Sequence, residues 1–202
     1  MDDGAPSSRR DEILEQAFEL VREAGLTGLT MKKVAKRVGV TEPALYRHFP
    51  TKQAILVGIA KRLAEKLLGP IRAIAAEEET PPEQRVERIL THHFKLVMET
   101  NGLPFLLMAE ASVSGDQDVA DTLGGAMLSY QQIMVGILET MPRTPGMPEP
   151  RHMLPMLVGV IAAVAIQRRA LPCLPVDPIA VLELIPYLVR RLTSPEPGEE
   201  PA

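Results

Sequence analysis

TMKKVAKRVGVTEPALYRHFPTK, residues 30–52, is the stretch on which the reading of the whole chain turns. Met31, Val34, Ala35 and Val38 recur at helical spacing and give a first short helix its apolar face, with Thr30 placed to cap it. Gly39 stands where a helix C-terminus wants a residue free to take positive φ, because glycine has no Cβ to clash. Thr41 can cap a second short helix, and Pro43 is tolerated in its first turn, where the missing N–H had no partner anyway. Leu45 and Phe49, four apart, share one face of that helix, and Thr51 offers a fresh cap just before Lys52. Helix, glycine turn and short helix make the helix-turn-helix pattern, which lays its second helix in a DNA major groove.

Charge supports this reading. Six basic residues (Lys32, Lys33, Lys36, Arg37, Arg47 and Lys52) against one acid, Glu42, give the stretch +5 in a chain of net −4, leaving −9 outside it. A basic island on an acidic chain is the electrostatic footprint of a phosphate-gripping surface. A charge run on an amphipathic helix is also, commonly, just a solvated face. The turn chemistry favours DNA.

The run Thr30-x-x-x-Val34-Ala35-x-x-Val38-Gly39-Val40-Thr41-x-x-x-Leu45-Tyr46-x-His48-Phe49-x-x-Lys52 resembles the signature of the TetR (tetracycline-repressor-like) transcriptional regulators. The resemblance covers about the first quarter to third of the chain; the remainder is similar only in length and helical character. It implies an all-α protein whose N-terminal helices bind double-stranded DNA and whose divergent helical domain dimerises and senses a small molecule. The expected organisation is a DNA-binding domain over residues 1–52 with a disordered arm at 1–7, an effector-binding and dimerisation domain over 53–194, and a disordered acidic, proline-rich tail at 195–202.

Hydrophobic residues make up 46% of the 202, enough for a sizeable core, yet aromatics are only 3%, so that core is aliphatic and rich in methionine. The single cysteine, Cys173, excludes an intramolecular disulfide and a cysteine-cluster metal site. The N-terminus has no apolar core of a signal peptide. The longest apolar run, residues 153–166, is interrupted by Pro155 and falls short of the ~18–20 residues of a membrane span, so a cytoplasmic location is expected.

Ahead of the motif, Ser8 and Asp11 resemble a capping box. Ile13, Leu14, Ala17, Phe18, Val21 and Ala24 then recur at helical spacing until Gly25 ends the helix. Arg9 and Arg10 either reach DNA or are solvated. From Lys52 a long helix carries Ile55, Leu56, Ile59, Leu63 and Leu67 and is expected to stop before Gly69-Pro70. Further helices are expected over about 82–100, 103–113, 119–141, 151–170 and 178–192. In the third of these, Gly124-Gly125 suggests a kink or a close approach by another helix, since each glycine costs about 1 kcal/mol relative to alanine.

Residue by residue, the resemblance puts Glu42, Pro43 and Ala44 in the exposed first turn of the recognition helix, where operator sequence is read. Glu42 can accept from a cytosine amine and Ala44 can touch a thymine methyl, although a solvent-facing Glu42 is equally open. Arg47 suits a phosphate or a guanine. Tyr46, His48 and Lys52 match positions that grip the DNA backbone and set register. Thr30 and Thr41 cap helices and can also meet phosphate, and Lys32 and Lys33 add basic charge.

In the second domain the resemblance places Phe94, Met98, Phe105, Leu106, Met108, Met127, Tyr130, Gln131 and Met134 around an effector pocket. Methionines adapt to irregular shapes, but they suit an ordinary core equally well. With few polar anchors among them, a small lipophilic effector is expected. His92 and His93 are adjacent, so they point about 100° apart on a helix and make a poor metal site. They read as structural or surface histidines. No cofactor, metal or catalytic constellation is expected. Small residues in the last two helices, among them Gly159, Ala162 and Ala163, let helix backbones approach closely. The resemblance places a homodimer there, through about 151–192, on a palindromic operator, with repression as the expected outcome.

Overall fold

Each helix of the N-terminal third begins on a side chain that can satisfy its free N–H groups. Ser8 Oγ accepts from the Asp11 amide, Thr30 Oγ1 from Lys33, Thr41 Oγ1 from Ala44 and Thr51 Oγ1 from Ala54. In this computed structural model, which describes residues 8–143, 147–170, 173 and 176–193, those caps open α1 (Arg9–Gly28), α2 (Met31–Val38), α3 (Glu42–His48) and α4 (Lys52–Ala75). Five more helices follow: α5 (Pro82–Glu99), α6 (Leu103–Ser114), α7 (Gln117–Glu139), α8 (Pro150–Ala170) and α9 (Pro178–Thr193). The described residues form nine helices and no strand, the all-α fold expected. The arm at 1–7 and the tail at 195–202 lie outside them.

Gly39 carries the turn between α2 and α3 at φ 75°, ψ 33°. That left-handed conformation lets Val40 N–H reach Ala35 O at 2.9 Å and Gly39 N–H reach Lys36 O at 3.3 Å, closing α2. Gly25, at φ 70°, breaks α1 as its position suggested.

Two helices depart from the expectation. α4 does not stop at Gly69-Pro70 but continues for a further turn beyond it. Pro70 has no N–H to give the carbonyl of Lys66 four residues earlier. His92 Nε2, from α5, lies 3.0 Å from that oxygen and must be the donor, because a carbonyl only accepts. A neighbouring helix thus supplies the missing hydrogen bond, and Leu67, Leu68, Ile71 and Ile74 keep the helix buried on either side of the proline. α7 runs unbroken through Gly124-Gly125, and no described atom approaches within 4 Å of where either Cβ would stand. Neither the kink nor the close approach is present. Burial of Val119, Leu123, Ala126, Tyr130 and Met134 outweighs the propensity lost at two glycines.

α8 likewise continues through Pro155, so that Pro150–Arg169 is, by length and composition, long and apolar enough to cross a membrane. The helix expected over about 151–170 is present, and the apolar run expected to fall short of a membrane span lies within a helix that reaches that length. Burying Met153, Leu154, Leu157, Ile161 and Val164, at roughly 1.5–3 kcal/mol each, exceeds the ~3 kcal/mol that an internal proline costs. Those residues face the protein core, as in any helix packed on its neighbours.

The buried side chains form two clusters that meet along α4. One joins α1, α2, Leu45 and Phe49 to Ile55, Leu56, Ile59 and Leu63 of α4, and takes in Leu103, Leu107 and Ala111 of α6. The other gathers the far half of α4 with α5, α7, α8 and α9. α4 packs most extensively on α7, then on α5.

Candidate nucleic-acid interface and effector cavity

α3 is held from beneath. Leu45 and Phe49 are fully buried, while Glu42, Pro43, Tyr46, Arg47 and His48 on the same short helix are exposed and Ala44 is half-buried. Tyr46 leaves 45% of its surface open. One helix therefore has a buried face that fixes its position and an outward face free to meet a partner.

Not every cation of residues 30–52 contributes to that outward surface. Arg37 is engaged within the module: its guanidinium donates two 2.6 Å bonds to the Glu23 carboxylate of α1 and one of 3.1 Å to Gln16. The same hydrogen bonds hold the Glu23 carboxyl below its ordinary range and raise the Arg37 guanidinium. Lys52 is half-buried, and its ammonium donates to Leu26 O at 3.0 Å, tying the start of α4 to the end of α1. Lys32, Lys33, Lys36 and Arg47 are exposed and form no ion pair among the described residues.

Arg9 and Arg10, read from the sequence as reaching DNA or solvated, both make contacts within the module. Arg10 donates to His48 O at 3.0 Å and lies 4.4 Å over the Phe49 ring, closing the C-terminus of α3. Arg9 pairs with Glu12 and reaches Val38 O at 3.4 Å. Arg62 of α4 bonds Glu15 at 2.9 Å and Asp11 at 3.3 Å, so α1 is tied to α4 as well as to α2 and α3.

Residues 13–59 match the model of the bacterial regulatory proteins of the tetR family. That stretch is similar to the DNA-binding end of the TetR family. It is 32% identical over 118 residues to the nucleoid occlusion factor SlmA of Vibrio atlanticus, an alignment covering 58% of this chain and 60% of that protein, so it spans well under two thirds of that relative's length. Its fold is similar to a transcriptional regulator of Rhodococcus sp. Rha1 (TM-score 0.76, 19% identity, 91% of this chain and 95% of the other). It is also similar to FadR of Bacillus subtilis solved with stearoyl-CoA (TM-score 0.70, 20% identity, 91% and 97%).

A cavity of about 260 Å3 lies among α4, α5, α6 and α7. α4 lines it with Leu63, Ala64 and Leu67, α5 with His93, Leu96 and Val97, α6 with Pro104, Phe105 and Met108, and α7 with Leu123, Ala126 and Met127. Of the residues the family resemblance placed around a pocket, Phe105, Met108 and Met127 line this one. Phe94, Tyr130 and Met134 are buried in the core behind the wall, and Gln131 is exposed. The Met98 sulfur instead takes a 3.1 Å contact from Arg168, and Leu106 faces a smaller recess beside Arg169.

Of the lining residues that sequence reasoning missed, His93 is the polar one. It is 3% exposed, lines the cavity, and its Nδ1 has no hydrogen-bond partner. Burial, with a smaller contribution from the charge of His92, pushes its imidazole down to about 4, so the ring is neutral at ordinary pH. Tyr130 meets its edge at a centroid distance of 5.2 Å; the Tyr130 hydroxyl is also buried and unpaired, and burial raises its pKa. The available signal was phase: His93, Leu96 and Val97 of α5 fall at i, i+3 and i+4, the same spacing as Leu123, Ala126 and Met127 of α7.

α6 belongs to both structures. Pro104, Phe105 and Met108 face the cavity, while Leu103, Leu107 and Ala111 are buried in the cluster that supports α3. Leu63 and Leu123 likewise belong to the cavity wall and to that cluster.

Proposed function

We propose that this chain is a homodimeric transcriptional repressor that binds a palindromic operator through α3 and is released by a small lipophilic effector. The observation that carries the reading is the two-faced recognition helix, anchored by Leu45 and Phe49 and presenting Glu42, Pro43, Tyr46 and Arg47. Glu42, Pro43 and Ala44 would meet base edges, whereas Lys32, Lys33, Tyr46, His48 and Lys52 would hold phosphates, with Thr30 and Thr41 at helix N-termini beside them. Lys52 can do both jobs, because an ammonium has three protons and Leu26 O uses one.

The second half of the reading is coupling. A ligand that enlarges the cavity displaces Phe105 and Met108, and α6 transmits that displacement to Leu103 and Leu107 in the core under α3. By linkage, the ligand must weaken DNA binding by the factor that DNA weakens ligand binding. The stearoyl-CoA complex of FadR supports a lipophilic effector. Dimerisation through about 151–192 is supported by Met156, Val160 and Ile166 of α8 and Ile179, Leu184 and Tyr187 of α9, all exposed.

Selection of purified protein on random duplex DNA tests this. The expected product is a two-fold symmetric site with half-sites about one helical turn apart, altered by substitution of Glu42. Recovery of no motif at moderate salt would sink it. The similarity to a nucleoid occlusion factor favours one other reading, a constitutive DNA-binding module without an effector. Operator binding that no lipophile alters would support that alternative.

A further inference from the structure

A cavity whose wall is apolar except at one imidazole discriminates among ligands by charge before it discriminates by shape. Every side chain lining this cavity is aliphatic, aromatic, a methionine or proline, save His93. Among the described residues, no lysine, arginine, aspartate or glutamate lines it. A ligand carboxylate, phosphate or ammonium would therefore enter without a counter-charge, which costs several kcal/mol. A neutral imidazole, in contrast, offers one N–H donor and one acceptor nitrogen. Its Nδ1 is buried and has no partner among the described residues, so no bond at that atom fixes which nitrogen carries the proton.

The volume sets the size. A cavity of about 150 Å3 holds benzene, so about 260 Å3 holds roughly ten non-hydrogen atoms.

We propose that the cavity is a site for a neutral, monofunctional, oxygenated hydrocarbon of about ten non-hydrogen atoms, an alcohol or ketone of medium chain length, with His93 as its polar anchor. This rests on the reading of the chain as a ligand-responsive regulator and adds the effector's chemical class. The hydrocarbon part lies along Leu67, Leu96, Phe105 and Met127, and the oxygen pairs with the ring of His93. Tyr130, packed edge-on behind that ring, keeps it from turning away.

The test is calorimetric titration of the full chain at neutral pH with 1-octanol, 2-octanone, sodium octanoate, octylamine, octanoyl-coenzyme A and toluene. The two neutral oxygenated probes should bind roughly tenfold or more tightly than the octanoate or octylamine ions, since neither ion finds a counter-charge in the cavity. His93→Phe, which keeps a buried ring but removes both nitrogens, should weaken 1-octanol about fivefold, the worth of one neutral hydrogen bond, and leave toluene unweakened. His93→Gln, which restores a donor and an acceptor, should recover most of the loss. Tighter binding of octanoate or octanoyl-coenzyme A, no binding of any neutral oxygenated probe, or 1-octanol affinity unchanged in His93→Phe would overturn the proposal. Should His93→Phe not fold, the ranking of neutral over charged probes on the natural chain decides. Random-site selection is run without any probe. A symmetric site recovered by a protein that binds no probe sinks this inference and leaves the DNA reading intact, whereas probe binding with no site recovered does the reverse.

Discussion

His92 and Pro70 form a pair whose energetic coupling can be worked out from the structure. The Lys66 carbonyl has lost its intrahelical donor to Pro70 and regains one from His92 Nε2 at 3.0 Å. His92→Ala removes that donor and should cost about 1 kcal/mol, the net worth of a hydrogen bond at a half-buried position. For a chain of this size that is a drop of roughly 2–4 °C in Tm. Pro70→Ala restores a backbone N–H to the same carbonyl and relieves the ring, stabilising the helix by as much as ~3 kcal/mol. In the Pro70→Ala background, His92→Ala should then cost close to nothing, because the backbone already satisfies Lys66. The coupling between the two substitutions is thus about 1 kcal/mol. Urea denaturation of the four proteins at one fixed protomer concentration measures it, the concentration being held because a dimer's stability depends on it. Equal losses from His92→Ala in both backgrounds would refute the reasoning and leave His92 as a surface histidine. α4 joins the recognition module to the cavity, so this pair also bears on how stiffly the two are connected.

Lys33→Ala should weaken binding to specific and nonspecific DNA by the same factor and flatten the slope of log K against log salt by ~0.9, whereas Arg37→Ala, already neutralised by Glu23, should leave that slope unchanged. Fluorescence anisotropy across a salt series separates the two, and equal slope changes would contradict the division between outward and internal cations. Gly39→Ala meets no neighbour but forces a Cβ into φ 75°, at a cost of about 1–2 kcal/mol, read as a fall in the urea midpoint with operator affinity lost in parallel. His93 sets a pH dependence: its folded-state pKa is depressed to about 4, so between about pH 6.5 and 4 the unfolded chain binds more protons and stability falls as pH falls. At pH 5 the natural chain should have lost ~2 kcal/mol from this group, and the His93→Phe protein should not show that part of the decline when melts are compared from pH 8 to 5.

The local chemistry of residues 30–52 was legible because each feature acts within a few residues. A threonine caps the helix that follows it, a glycine closes the one before it, and Leu45 and Phe49 share a face by helical spacing alone. The TetR resemblance, the all-α class and most helix spans follow from that kind of information. What the chain could not declare was which neighbour meets each side chain. Pro70 reads as a stop until His92, twenty-two residues later, is seen to replace the missing donor. Arg37 and Lys52 count as surface charge until Glu23 and Leu26 O are found beside them. Helical phase marks both stripes of α5 and α7 as apolar, yet only packing decides that Phe94, Tyr130 and Met134 fill the core while His93, Leu96 and Met127 border a void. Periodicity is written into the sequence because backbone geometry imposes it locally. A cavity is a mismatch between surfaces from four different helices, so it exists only once those surfaces have been brought together.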